Sequence, residues 1–396
     1  MKLRVAIAGN PGVLIISPHT KVHMETTPTE GVESRVSSIV RMLARNSRDI
    51  LIIEPSDLKS KNEKNRMHFY SFNFIKIKNM RLGSYFLSLN PFYHLALFRA
   101  LKRRDPDVIL ISQPWGVFST WFVVKKIFQR SLLIIHDSHN VESEYPNIIM
   151  KDSSIPKVIK LFYRLSIGWI EKLAVKYADY TFAISYENKK TFVRKYNTNP
   201  ERIRVVPPVI PMEVSISSRG RPEKKSSEIW AVFHGIYRTV QNREAFELIM
   251  HKLAPRFKKY KNFKFIVFGK GLLKFDKENV VSFGFVDNVW GVLERCDIAV
   301  VPLVSGEGVK LKMLDYIAVG LPIVTTKKGA EGLELVNGKH AIIVDDVNEE
   351  FVRVIKYLMY NPKARKKMQV NIKKLFELYF SSRGDEIETA RNCSVL

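Results

Sequence analysis

Residues Asp297 to Pro322 read DIAVVPLVSGEGVKLKMLDYIAVGLP. An apolar run, Ile298 to Pro302, leads into a turn of Ser305, Gly306, Glu307 and Gly308. A helical pattern from Val309 to Val319 follows and carries Lys310, Lys312 and Asp315. Strand, glycine-rich turn and helix make half of a βαβ unit. Free N–H groups at a helix start, with glycines that let a ligand approach, suit a phosphate. Lysines beside that point would neutralise a diphosphate. Glu307 and Asp315 lie eight positions apart, so they could address opposite ends of one long ligand. The plainer reading is a strand-to-helix turn with ordinary surface lysines.

The same alternation runs outward on both sides. Strand-like runs occur at Ile229 to His234, Lys264 to Phe268, Val280 to Phe283, Ile323 to Thr326 and Ala341 to Val344. Helices fit between them at Arg243 to Phe257, Val289 to Glu294 and Glu349 to Leu358, and an amphipathic stretch extends from Pro362 to about Phe380. Towards the start, Val5 to Gly9 reads as a first strand, Asn10 to Pro28 as a long irregular stretch, and Gly31 to Ser47 as a helix. Further strands are predicted at Asp49 to Ile53, Val108 to Ser112, Leu132 to His136, Tyr180 to Ser185 and Ile203 to Val206, with a helix at Asn188 to Tyr196. Prolines and basic residues from Pro207 to Ser227 read as a connection. The expectation is an N-terminal α/β domain over 1–208, a linker over 209–228, a second over 229–375, and a helical tail over 376–396 that packs back on the first. Two doubly wound parallel-sheet domains would face each other across a cleft, where this architecture places ligands.

At 396 residues and 46% hydrophobic content, each half can bury a core. The two cysteines, Cys296 and Cys393, have no partners at metal-ligand spacing, so neither a disulfide framework nor a metal site is expected. A reducing cytoplasm is the simplest home. No apolar run approaches the roughly 20 residues that span a bilayer, so any membrane contact would be peripheral, on the inner face. Within a net charge of +25, the stretch between Leu58 and Arg104 stands out, since Glu63 is its only acid among many Lys and Arg interleaved with Phe and Tyr. Such a segment could lie on an anionic membrane, or be a solvated basic face over an aromatic core. No recognition motif for nucleic acid accompanies the charge.

The 297–322 stretch resembles the donor motif of glycosyltransferase family 4, the glycosyl transferases group 1, which are retaining enzymes of the GT-B fold. The match includes Gly306, Gly308, Lys310, Lys312 and the following Gly320-Leu-Pro-Ile-Val. Other segments agree. Ile135 to Glu142 (IHDSHNVE) is similar to the strand end that places a histidine at the sugar, with His139 at that position and His136 the competitor. Thr29-Glu-Gly-Val-Glu33 resembles the loop after the first strand, with Glu30 in place of a glycine and Gly31 left to approach phosphate. Phe233 to Arg238, Phe268 to Gly271 and Phe283 to Asp287 resemble the turns around the nucleotide.

The resemblance implies transfer from a nucleotide diphosphate sugar, with no cofactor or metal, to a glycan or lipid-linked acceptor. It assigns His139, Glu307 and Lys312 to catalysis, and Gly31, Gly235, Arg238, Gly269, Gly306, Gly308, Val309, Lys310 and Asp315 to the donor. Asp315, which replaces the family's second glutamate, would reach the ribose, and Glu331 would serve structure. A nucleotide-sugar epimerase and a basic nucleic-acid-binding module are the alternatives.

Overall fold

The computed structural model describes residues 10–18, 35–36, 39–40, 47–56, 67–77, 80–81, 83–144, 157–206, 222–306, 308–333 and 335–379, with backbone alone at 76–77, 80–81, 159 and 377–379. The chain divides into two compact units, the change falling between Val209 and Ile210.

Unit 1 is built on seven strands: β1 (Gly12–Ile16), β2 (Asp49–Pro55), β3 (Met67–Phe72), β6 (Val108–Ser112), β7 (Leu133–Asp137), β8 (Tyr180–Ala183) and β9 (Ile203–Val205). They lie in the order β3-β2-β1-β6-β7-β8-β9, and every pairing is parallel. A short antiparallel hairpin, β4 (Lys76–Ile77) and β5 (Met80–Arg81), stands apart.

The position of β1 corrects the reading of 10–28 as irregular throughout. Gly12-Val-Leu-Ile-Ile is buried along its whole length and pairs with β2 on one edge and β6 on the other. A central parallel strand is covered on both faces, so it needs an unbroken apolar run, and this segment supplies one. The expected strand at Val5 to Gly9 lies outside the described residues. Of the helix expected next, Arg35–Val36 and Ile39–Val40 are helical, with Val36, Ile39 and Val40 in the core.

The basic, aromatic segment contains more structure than its composition shows. Edge strand β3 pairs with β2, and the 3-10 turn Ser84–Leu89 leads into helix α1 (Pro91–Arg103). Asn90 caps that helix, its Oδ1 accepting the N–H groups of Phe92 at 3.0 Å and Tyr93 at 3.3 Å. Phe72 and Tyr93 are core residues, and the Tyr93 hydroxyl is 2.5 Å from Thr120 Oγ1. Helix α2 (Val117–Phe122) runs into a π turn, Val123–Ile127, and α3 (Lys157–Tyr177) and α4 (Tyr186–Tyr196) complete the described helices of the unit.

Unit 2 repeats the plan. Strands β10 (Ile229–His234), β11 (Phe263–Phe268), β13 (Val280–Gly284), β14 (Ile298–Val301), β15 (Ile323–Thr326) and β16 (Ala341–Val344) are parallel, with β12 (Lys274–Lys277) antiparallel at the edge. The order is β12-β13-β11-β10-β14-β15-β16. Helix α5 (Val240–Glu247) passes through a π turn, Leu248–Leu253, to Ala254–Phe257, and α6 (Val289–Leu293), α7 (Lys312–Val319), α8 (Glu349–Tyr360) and α9 (Pro362–Tyr379) follow. Cys296, just past α6, is buried, donates to the Val292 carbonyl at 3.3 Å, and has its thiol pKa raised by burial.

In both units the strand order reverses beside the central strand, between β1 and β6 and between β10 and β14. Open parallel sheets bind ligands beyond the carboxyl ends of the strands at such a reversal. In unit 1 that rim is held by a buried ion pair. Arg35 donates through Nε (3.0 Å) and Nη2 (2.5 Å) to Asp137 Oδ1 at the end of β7, and through Nη1 to the Val206 carbonyl at 2.8 Å. Removing one partner of such a pair strands the other charge in a dry site. Arg35→Ala is expected to cost unit 1 about 3–5 kcal/mol, whereas Arg35→Met with Asp137→Leu recovers much of it. Chemical denaturation followed by fluorescence measures both.

Candidate active site

The unit 2 site forms where β10 and β14 end. The chain leaves β10 through Gly235 (φ 156°), and leaves β11 through Gly269 (φ 150°), conformations that L side chains rarely adopt. A Cβ on Gly269 would lie 1.9 Å from the Gly235 carbonyl oxygen. A Cβ on Gly235 would lie 2.7 Å from Asn242 Nδ2 and 2.8 Å from Lys312 Nζ. Bare backbone here is what brings two strand ends, a helix start and an ammonium group into one cluster. These three residues, singled out separately in the sequence, are neighbours.

Lys312 opens α7, not the middle of a helix starting at Val309. The first bonds of the turn are tight, Met313 N–H to the Lys310 carbonyl at 2.8 Å and Leu314 N–H to that of Leu311 at 3.0 Å. Gly308, at φ 71°, turns the chain ahead of them. Val309 and Lys310 therefore precede the helix. The Lys312 ammonium donates to Asn242 Oδ1 and lies 4.2 Å from the centre of the Phe233 ring. Burial, reinforced by the charge of Lys310, lowers its pKa to about 7, against the opposing pull of Asp315.

Lys310 is buried and folds back on the loop, donating to the Gly308 carbonyl at 2.6 Å, with Glu331 Oε2 at 3.5 Å. Glu331 also accepts from Lys328 at 3.2 Å. Val309 packs over Gly332, where a Cβ would meet its Cγ2 at 2.6 Å. On the other side of the loop, Ser305 Oγ donates to Glu244 Oε2, and Gly306 lies against Gln241. The loop is thus strapped to α5 at one end and to the turn after β15 at the other.

Asp315, one turn beyond Lys312, accepts from Trp290 Nε1–H at 3.0 Å, and its other oxygen is 3.5 Å from His234 Nε2. Burial raises its pKa to about 6 despite the Trp290 hydrogen bond and Lys312. His234 is held neutral, its pKa lowered to about 3 by burial and then by Lys312. Arg238 lies exposed in the turn between β10 and α5. Glu307, Gly31 and Glu30 lie outside the described residues.

In unit 1, His139 follows the end of β7 and is buried, Nε2 sitting 3.0 Å from Ser112 Oγ and 3.1 Å from Asp137 Oδ2. Arg35 and His139 together keep the Asp137 carboxyl ionised against burial, well below the usual carboxylate range. His136 is fully buried, with no hydrogen bond at either ring nitrogen, and burial lowers its pKa to about 4. Nearby in sequence, burial and Glu171 raise the Glu142 pKa to about 7.

Asn242, Trp290, Ser112 and Arg35 are part of these clusters and carry no motif of their own, while His234 falls within the Phe233 to Arg238 segment without being singled out there. Asn242 alone had a legible signal, a polar residue in the first turn of the helix after a strand.

Comparison with known proteins agrees with this fold. The signature described as glycosyltransferase family 4 matches residues 29–214, and that of glycosyl transferases group 1 matches residues 229–361. The chain is 22% identical over 286 residues to chitobiosyldiphosphodolichol beta-mannosyltransferase of Debaryomyces hansenii, an alignment spanning 61% of this chain and 57% of that protein's length. Among solved structures, sucrose-phosphate synthase from Thermosynechococcus elongatus aligns over 97% of this chain and 98% of its own, at 11% identity and a TM-score of 0.72. Anabaena HepE in complex with UDP aligns over 98% of this chain and 100% of its own, at 13% identity and a TM-score of 0.67.

Two doubly wound units of this strand order match the fold of the GT-B glycosyltransferases. The chain belongs to glycosyltransferase family 4, the glycosyl transferases group 1.

Gly269→Ala places a methyl inside the Gly235 carbonyl and in a backbone conformation reserved for glycine. It is expected to lower the stability of unit 2 by about 2–4 kcal/mol and to remove any thermal stabilisation by nucleotides. Melting curves with and without UDP, GDP and ADP provide the check.

Proposed function

We propose that the chain moves a sugar from a nucleotide diphosphate sugar to a lipid-linked or glycan acceptor presented at a membrane surface, with retention at the anomeric carbon. The observation that carries the proposal is the half-buried ammonium of Lys312 set against the bare backbone of Gly235 and Gly269. A departing diphosphate needs fixed positive charge and close N–H donors at the moment it leaves, and a pre-positioned lysine in a poorly hydrated cluster supplies this without reorganisation. HepE in complex with UDP and the lipid-linked name of the mannosyltransferase relative support the donor and acceptor classes.

Lys312 holds the diphosphate, Lys310 adds potential through the loop it closes, and Arg238 reaches the distal phosphate. Glu307 and His139 orient the sugar, and Asp315 the ribose. Asp137, kept ionised by Arg35, fixes the His139 ring. The leaving phosphate takes the acceptor proton in a front-face attack. The lysines replace a divalent cation, so transfer persists in EDTA. NMR of the product decides the stereochemistry: a product with the anomeric configuration opposite to the donor's overturns retention.

Lys312→Ala is expected to lower transfer by about 100-fold or more while leaving the melting temperature within a few degrees of wild type. Turnover at the wild-type rate overturns the assignment.

A pH effect follows from the same side chain. Its folded pKa, about 7, lies below that of an unfolded lysine. Its burial therefore costs stability chiefly below pH 7, and the cost fades as pH rises towards the unfolded value. An anionic diphosphate favours the charged form. Binding of UDP or GDP at pH 8 is expected to take up close to one proton, and to take up almost none at pH 5.5. Calorimetry in buffers of different ionisation enthalpy measures the uptake, and Lys312→Ala abolishes it.

A further inference from the structure

Helix α3 is apolar on two faces. Tyr163, Ile167 and Ala174 are buried in the core of unit 1. On the opposite face Val158, Leu161, Phe162, Leu165 and Trp169 are exposed, Leu165 to 74% and Trp169 to 64%. Their spacing of three and four residues makes one stripe along the helix. Gly168, between the last two, opens on empty space, since a Cβ there would meet no atom within 4 Å. A surface helix ordinarily has one apolar stripe, turned to the core, and this one has a second that faces outward.

Neighbouring elements carry the same character. Leu89, Phe92, Leu95 and Phe122 are exposed on the 3-10 turn, α1 and α2. Ring contacts tie these elements together: Phe86 stacks on Phe162 at 4.6 Å, Trp121 lies 4.3 Å from Tyr177, and Phe98 lies 4.9 Å from Phe128.

Charge identifies what covers this face. Helices α1, α2 with its π turn, and α3 contain a single carboxylate, Glu171. It points inward, fully buried, accepting the N–H groups of Glu142 at 2.7 Å and Ser143 at 3.3 Å and the Tyr196 hydroxyl at 2.5 Å. Arg99, Lys102, Lys126, Arg164 and Lys172 are exposed, and none forms an ion pair with a carboxylate among the described residues. A second copy of the chain would set these cations against their own kind, which is repulsive. Anionic lipid matches both features, with headgroup phosphates under the cations and the acyl boundary under the apolar stripe.

We propose that this face of unit 1, centred on α3, docks on an anionic bilayer. The contact is peripheral, since no described helix is long and apolar enough to cross a membrane. Its main anchor lies outside the 58–104 segment that composition pointed to, although α1 contributes to it. The inference deepens the reading of a membrane-presented acceptor and rests on it for its purpose.

The test is co-sedimentation of the full chain with vesicles of phosphatidylglycerol and with vesicles of phosphatidylcholine alone. Wild type is expected to partition onto the anionic vesicles and to leave them as salt rises. Leu165→Ser with Trp169→Ser should weaken partitioning by about tenfold or more, as should Arg164→Glu with Lys172→Glu. Both variants change exposed side chains, so their melting temperatures and nucleotide-induced thermal shifts should match wild type. Equal partitioning of wild type and variants, or no binding of wild type to anionic vesicles, overturns the proposal. So does self-association of wild type that the Leu165/Trp169 variant abolishes, because a second copy would then cover the face. Partitioning that holds while no nucleotide stabilises the chain upholds the docking face and sinks the transferase chemistry instead.

Discussion

Parallel pairing of buried strands is the constraint on which the rest depends. A parallel neighbour can be reached only by a crossover over a sheet face, so each strand must start at the same edge and release its chain at the other. Asp137, His139, Gly235, Gly269, Gly306 and Gly308 all stand at or just past that releasing edge. The strands themselves are apolar and carry almost no chemistry. They fix where chemistry can be, and the reversal of strand order beside β1 and β10 leaves room for it.

Each unit then places charge where water is scarce, by different means. In unit 1 the Asp137 carboxylate is matched by a guanidinium and a histidine, and stays ionised. In unit 2 the Lys312 ammonium is set against an amide oxygen and an aromatic face, the pull of Asp315 does not outweigh burial and Lys310, and its hold on a proton is weak at neutral pH. The first arrangement is complete in itself. The second is only partly offset, by Asp315, among the described residues, and an anionic ligand is the natural complement.

Sequence made the regular parts legible. Strands at Val108 to Ser112, Ile229 to His234, Ile323 to Thr326 and Ala341 to Val344 have the predicted bounds, because apolar runs between turn signals leave little choice. The first strand was hidden by its setting, where glycines and prolines around Gly12-Val-Leu-Ile-Ile suggest irregular chain. β3 was hidden by basic flanks, although Met67 and Phe72 face inward. The start of α7 was misplaced because helical periodicity cannot see that Gly308 has positive φ. At the site, Gly235, Gly269 and Lys312 were readable as motif positions. Their mutual contact was not, since it depends on the packing of one glycine's carbonyl against another's missing side chain. Asn242 and Trp290 act through distances of 70 and 25 positions along the chain, which no local pattern records.

Cys296 has a bearing on how the two halves can be observed. Its sulfur is enclosed within unit 2 and resists ionisation, so a thiol reagent in the surrounding solution has almost nothing to attack while that unit is closed. The rate at which this sulfur becomes labelled is therefore a clock for the opening of unit 2 alone, set by nature inside the half of the molecule that carries the glycine-lined lysine.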